Sequence, residues 1–379
     1  MTQRLTRVLG TLMGLAALTV APLRGQAVST TQDNTGYGTT AGEFLLLGAG
    51  ARGAALGDGF SALTKDVTAL YYNAAGLAEM PHAEAQVSTY NYVANTHYTW
   101  VGLGVPFSGG TRAIGLSLGS FGFSNQPVYT LDDPDGTSGQ TYSVSETFIG
   151  GTYAQNFSDR FSAGFTAKLI SDKLGSTNAS AFAVDFGTNF HALIGDRAIR
   201  AAFTIQNLGS SLQASGSALD AGVNRTPPLG TVDIPQNAQP ASLKASEWGL
   251  PVQFLVGVSF EAVASGMNRV NILGMFNQPI NNKPGASLGL EYAASNISNS
   301  GFSLSLRGSY TMKPDNNLDP GNAAGFTSQY SSGSFTSNGL AAGGGVAYGR
   351  GQFLLGFDYA YKNMGPLGST NYLSFSVGW

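Results

Sequence analysis

From Ala83 onward the chain alternates, residue by residue, between large apolar side chains and small or polar ones. Phe302, Leu304, Leu306, Tyr310 and Met312 fall on one face, and Ser303, Ser305, Arg307, Ser309 and Thr311 on the other. A period of two is the signature of an extended strand with two unlike faces. The same pattern runs through Phe161 to Leu169, Phe254 to Phe260, Ala286 to Tyr292 and Phe353 to Tyr361. The charges narrow the reading further. Lys168, Arg200, Glu261, Glu291, Arg307 and Asp358 all share the small, polar face. A charge facing lipid near the midplane costs about 2–4 kcal/mol, so this sorting fits a sheet with one face in lipid and the other lining a lumen. Both signs are present, so the lumenal charges can pair. The fold class expected is all-β: a transmembrane antiparallel β-barrel.

About fourteen strands can be traced between residues 84 and 379, most near the ten residues that a tilted spanning strand needs. An even count suits a closed single-chain barrel. Short connections, such as Ser108 to Gly110, Ser158-Asp159 and Gly195-Asp196, alternate with longer ones. Three of the longer ones, near 123–142, 208–249 and 313–336, read as external loops. The asymmetry places both termini in the periplasm. The tight Asn95-Thr96 turn is an exception on the outer side. Leu373, Phe375, Val377 and Trp379 give the last strand an apolar face that ends on an aromatic, as outer-membrane barrels commonly do.

Only 11% of the 379 residues are charged, 42% are hydrophobic and 52 are glycine. A soluble domain carries about 25% charged residues. Arg4 and Arg7 followed by the apolar stretch Val8 to Leu23 and by Gly25-Gln26-Ala27 read as a secretory signal, cleaved after Ala27. The organisation expected is thus a signal peptide over 1–27, a lead and plug over 28–82, and a barrel over 83–379. Cysteine is absent, which removes disulfides, thiolate metal sites and cysteine nucleophiles. A net charge of -3 without a basic block offers no footprint for nucleic acid. The three histidines, His82, His97 and His191, have no serine or acid beside them in a catalytic pattern. No enzyme activity, cofactor or metal is expected. Asp132, Asp133, Asp135 and Gly136 resemble a calcium loop but lack the distal glutamate, and read as a solvated loop.

Ala41 to Met80 departs from the alternation: AGEFLLLGAGARGAALGDGFSALTKDVTALYYNAAGLAEM. Phe44-Leu45, Gly50-Ala51-Arg52, Gly57, Phe60, Asp66, Ala69-Leu70-Tyr71, Asn73 and Ala75-Gly76-Leu77 stand in the order and spacing of an N-terminal signature. On these residues the chain resembles the PorV/PorQ family, related to the FadL-type fatty-acid-transporter barrels. Ala74 replaces the family's usual proline, Lys65 stands where an acid is common, and Tyr72 stands where tryptophan is common. The signature covers about forty residues, and the strand pattern extends the likeness over the rest.

Physically, the segment suits a plug. Asp66 can N-cap a turn from Val67 to Tyr72, and Asn73 the next, from Ala74 to Leu77. Gly48, Gly50, Gly53, Gly57 and Gly59 let backbone pack closely in a narrow lumen, and Gly76 and Leu77 are counted with the plug. Arg52 and Asp66 can pair with lumenal Glu291, Asp358 or Arg307. The resemblance implies a role in type IX secretion: binding the C-terminal signal domain of secreted cargo, receiving it from the translocon and passing it to the attachment machinery. Phe123, Tyr129, Trp248, Phe326, Tyr330 and Phe335, aromatics in the external loops, would then meet the cargo. The alternative is a FadL-like channel for hydrophobic small molecules, and a third reading is a porin without specific cargo. Outer-membrane lipid is the partner common to all three.

Overall fold

The computed structural model describes Gly36 and residues 38–223, 239–312 and 339–379. Fourteen of its strands form one closed antiparallel sheet. They are β1 (Glu84–Asn91), β2 (His97–Phe107), β3 (Arg112–Pro127), β4 (Thr141–Ser158), β5 (Phe161–Leu174), β6 (Thr177–Ile194) and β7 (Arg197–Gly209). After the long loop come β8 (Gln253–Ser265), β9 (Asn268–Pro279), β10 (Gly285–Ala294), β11 (Phe302–Met312), β12 (Leu340–Arg350), β13 (Phe353–Asn363) and β14 (Ser369–Gly378). Each strand pairs with its neighbours in sequence, and β1 pairs with β14 from Glu84 opposite Gly378 to Tyr90 opposite Tyr372, which closes the barrel. No described helix is long and apolar enough to cross a membrane.

The alternation sorts the two faces as the sequence implies. Along β5, Phe161, Phe165 and Leu169 point outward and are exposed, whereas Ser162, Thr166 and Lys168 point inward and are buried. The exposed outward side chains of β3, β4, β8 and β10 to β14 continue this apolar belt. Such a belt is stable only where lipid rather than water covers it.

The lumenal face differs from the expected small, polar surface. Tyr90, Tyr98, Trp100, Phe148, Ile170 and Leu273 point inward and are buried. They belong to one apolar cluster with Phe44, Leu56, Leu70 and Leu77 of the N-terminal segment. That segment has an apolar surface of its own, and the wall supplies its other half. Glycines make the room: a Cβ on Gly102 would lie 2.3 Å from the Trp100 ring, and one on Gly119 would lie 2.2 Å from Phe148.

Two details of the wall depart from regular pairing. The β5–β6 hairpin continues to Leu174 and Thr177 and turns on Gly175-Ser176, with Gly175 at φ 58°, so a second tight turn lies among the longer loops. In β7, Gln206 and Asn207 stand together opposite Asp185, and Asn207 takes φ 61°. An extra residue of this kind bends a strand and re-aims its side chains.

Gly36 to Gly42 runs at the long-loop end. The amide of Ala41 donates to the Gly249 carbonyl at 2.9 Å, and Asn281 Nδ2 donates to Thr40 Oγ1 at 2.7 Å. Trp379 lies at the short-turn end, where its amide donates to the Ala83 carbonyl at 2.9 Å. Between Gly36 and Glu84 the chain passes through the lumen from one mouth to the other.

Candidate functional site

The segment from Glu43 to Glu79 folds as four short turns of helix inside the barrel: Glu43–Leu46, α1 (Ala51–Ala55), α2 (Ala69–Tyr72) and Ala74–Glu79. Gly50 and Gly57 flank α1 at φ 89° and 69°, conformations that side-chain-bearing residues rarely adopt, and so keep α1 short. Gly53 is forced by contact, because a Cβ there would lie 2.2 Å from Tyr72 Oη. Gly76 is held likewise against Thr64, whose carbonyl oxygen would be 2.4 Å from an added Cβ.

Five of the charges singled out in the sequence converge. Arg52 grips Glu291 with two parallel bonds of 2.9 Å, and its Nη1 donates to Asp66 Oδ2 at 2.5 Å. Arg307 Nε donates at 2.8 Å to Glu291 Oε2, the oxygen that also accepts from Arg52 Nε, and Arg307 donates as well to Asp358. The result is a chain of alternating sign that ties plug to wall. Burial works against the Arg52 charge, but Glu291 and Asp66 outweigh it and keep the guanidinium protonated. The Arg52 guanidinium also lies 4.6 Å from the centre of the Phe60 ring. Gly345 makes space for Asp358, since a Cβ would stand 2.0 Å from its Oδ1.

Asn73 caps as expected. Its Oδ1 accepts from the Ala75 amide at 3.1 Å, and its Nδ2 donates to the Ser61 carbonyl and to Asn189 Oδ1, both at 3.0 Å. Asp66 acts differently: its Oδ1 accepts from the Thr68 amide at 2.9 Å, and the helix starts only at Ala69. The carboxylate thus holds a turn before the helix while its other oxygen binds Arg52. Leu77 is fully buried in the lumenal core.

Further anchors were not foreseen from sequence. Lys362 Nζ meets Asp58 Oδ2 at 2.5 Å. Glu79 receives His191 Nε2 at 2.7 Å, Arg200 Nη1 at 2.8 Å and Asn189 Nδ2 at 2.9 Å. Burial raises the Glu79 proton affinity, yet the His191 bond and the Arg200 charge prevail and hold it below the ordinary carboxylate value. Lys168 pairs with Asp185 at 2.8 Å and donates to Asn207 Oδ1 at 2.5 Å, so the β7 bulge is pinned by a buried ion pair.

The loop aromatics do not gather into one surface among the described residues. Phe123 packs edge-on against Tyr142 with ring centres 5.9 Å apart. Tyr129 and Trp248 are exposed. Phe326, Tyr330 and Phe335 lie outside the described residues. In the acidic loop, Asp133 accepts from the Ser138 and Thr137 amides and from the Thr137 hydroxyl. The Ser138 and Thr137 amides hold its carboxyl down at about 2, so the carboxylate is used in shaping its own turn.

Above the plug, towards the long loops, a cavity of about 170 Å³ remains. Leu46, Tyr71 and Tyr72 of the plug face Gln206, Leu255 and Met275 of the wall across it. The β7 bulge aims Gln206 here: its Nε2 donates to the Tyr71 carbonyl and its Oε1 accepts from Gln253, both at 2.6 Å. A cavity near 150 Å³ takes a benzene ring in other proteins, so the volume suits a molecule of about one ring.

The chain is similar in fold to the CymD monoaromatic hydrocarbon channel, with a TM-score of 0.52, 13% identity, and coverage of 88% of this chain and 97% of that one. It is also similar to the TodX deltaS2S3 mutant monoaromatic hydrocarbon channel, at 0.51 and 10%, over 87% of this chain and 98% of that one. This chain has the fold of those channels. A Pseudomonas aeruginosa FadL homologue aligns at 0.47 and 11%, over 87% and 98% of the two chains. At these identities the likeness is one of fold alone, and it does not show the PorV/PorQ family. No family model and no curated protein matches the chain.

Proposed function

We propose that this protein is an outer-membrane channel for small, largely apolar molecules that enter from the long-loop end and settle in the cavity above the plug. The cavity carries the reading. It lies between plug and wall, has the volume of about one ring, and is lined by Leu46, Leu255 and Met275 together with polar groups such as Gln206, Gln253 and Asn277. The shared fold with two hydrocarbon channels supports the same direction. On this reading residues 1–27 export the chain, and the short-turn end faces the periplasm. The plug fills the lumen below the cavity, so onward passage requires a movement of the plug or of the wall beside it. The test is saturable binding of toluene and of decanoate to the purified barrel in detergent. Leu255→Trp, which fills the cavity, should abolish binding while the barrel stays folded. A wild-type barrel that binds neither compound would sink the proposal.

A second reading is the type IX shuttle, with cargo signal domains bound by the outer loops. Its support is the exposure of Tyr129 and Trp248, two large aromatics on that side. Pull-down from outer membranes checks it. Secreted proteins with intact C-terminal signal domains should be recovered with the wild type and lost with Tyr129→Ala and Trp248→Ala together. Recovery unchanged by those substitutions counts against it.

A further inference from the structure

We infer that Glu146 on β4 and Asp172 on β5 form a site for a hard divalent cation of the Ca²⁺ class at the long-loop mouth of the barrel. The two residues are direct partners across the β4–β5 ladder. Side chains so placed share a face, with Cβ atoms about 4.5–5.5 Å apart, and like charges directly opposite destabilise a sheet. Their own neighbours in the wall offer no relief: Phe121 stands opposite Glu146 on β3, and Ala179 stands opposite Asp172 on β6.

A second observation concerns the side chains themselves. Asp172 is only 7% exposed, and its Oδ1 is sealed without a hydrogen-bond partner. No described residue donates to, or pairs with, either carboxylate. A buried ionised carboxylate left in this state is strongly unfavourable. Other lumenal carboxylates are treated otherwise. Glu291 and Asp358 meet Arg307, Asp185 meets Lys168, and Glu79 meets Arg200. The cation nearest in the β5 sequence on the lumenal face, Lys168, is already committed to Asp185 and Asn207. Glu43 of the plug adds a third negative charge to the field at Glu146. Among the described residues no cation supplies the missing counter-charge.

The height of the pair in the wall says which ions reach it. Ile149 opposite Leu169 is the last outward apolar pair on these strands. The next outward pairs, Thr147 with Ser171 and Ser145 with Lys173, are polar, and Glu146 and Asp172 lie between them. The carboxylates therefore sit just beyond the apolar belt, on the inside of the mouth. Two carboxylates supply up to four oxygens, and Ca²⁺ takes six to eight at about 2.3–2.6 Å, with water completing the shell. No group of three metal-ligating side chains gathers among the described residues, so the ion is held weakly and exchanges. A dissociation constant on the order of 10⁻⁴–10⁻³ M is the class expected of such extracellular sites.

The test is calorimetric titration of CaCl₂ into the EDTA-treated, full-length barrel in detergent at constant ionic strength, alongside thermal unfolding. One ion per chain should bind in that range and raise the unfolding midpoint. Glu146→Gln and Asp172→Asn should each weaken binding at least tenfold and raise the midpoint in EDTA, because the repulsion is gone. Should Asp172→Asn misfold, Glu146→Gln, at a half-buried position, decides alone. Asp132→Asn with Asp135→Asn should leave binding unchanged. A wild-type barrel that gives no heat and no shift overturns the site, as it would if the pair merely shares a proton. So does an affinity that survives both Glu146→Gln and Asp172→Asn while falling with the loop variants.

Discussion

The two halves of the lumen hold the plug by different means. Against β10 to β14 ion pairs are added to close packing such as Gly343 on Ala55: Arg52, Glu291, Arg307 and Asp358 form one chain, and Lys362 meets Asp58. Against β2 to β6 the contact is steric. A Cβ on Gly164 would lie 2.4 Å from the Ala74 carbonyl carbon, one on Gly187 would lie 2.1 Å from Asn73 Oδ1, and one on Gly115 would lie 2.4 Å from Leu70. The Glu79 cluster adds charge only at the inner rim of this half. Ion pairs can exchange protein partners for water, whereas close backbone contacts reform in one arrangement. The cavity borders β7 to β11, beside the ionic half. If the plug moves to pass a ligand on, the ionic half is the side that can release it.

Glu291→Ala should break the comparison most strongly. It leaves Arg52 and Arg307 together without their shared carboxylate, and loss of one partner of a buried pair costs about 3–5 kcal/mol. Hydrogen exchange should report lost protection over residues 44–80 with the barrel strands unchanged. Equal loss in the strands would mean that the network holds the wall instead. Gly187→Ala should cost about 1–3 kcal/mol by overpacking, and the loss should be insensitive to salt, which denaturant midpoints at two ionic strengths can check. Lys65→Met should stabilise the plug at pH 7 by about 1–2 kcal/mol. Burial, and then the Arg200 charge, lower the Lys65 ammonium to about 8. Its folded value is below its unfolded one, so wild-type stability should rise between pH 8 and 10.5, and the variant should lack that rise. The smallest effect is expected at Glu79. Its depressed value means that its contribution is complete above 4.5 and is lost only as pH falls through the folded value. Exchange protection of Ala74–Glu79 should thus be flat from pH 7 to 5 and fall in stronger acid; a fall already at pH 6 would mean that Glu79 is not held below its ordinary value.

Much of this was legible because alternation reports faces directly. The fourteen strands, the inward charges, the Arg52–Glu291 pair and the Asn73 cap follow from period, sign and spacing, whereas the Arg52–Asp66 pair within the plug does not. What alternation cannot report is whether an inward face meets water or protein. Tyr98 and Trp100 sit between His97, Thr99 and Val101, so both faces of β2 carry large side chains and the pattern does not say which is covered. The Lys168–Asp185 pair depends on the register between β5 and β6, and the bulge that it pins at Asn207 rests on one positive φ. The Glu146–Asp172 pairing depends on the register between β4 and β5, and strand limits uncertain by one or two residues leave that open. The short-range signals were sound; the unread features are those in which two distant strands must first be aligned.

The route of the N-terminal segment bears on how the molecule is made. Gly36 to Gly42 lies at one mouth, while the β1–β14 seam that closes the cylinder begins at the other, beside Ala83. A segment arriving after closure would have to be pushed lengthwise through a bore whose clearance is set by contacts such as Gly164 on Ala74. If the sheet instead curls around a segment already laid across it, every such contact is met from the side. On this account the plug serves as a mandrel for the cylinder, and the last seam to zip is what locks it in.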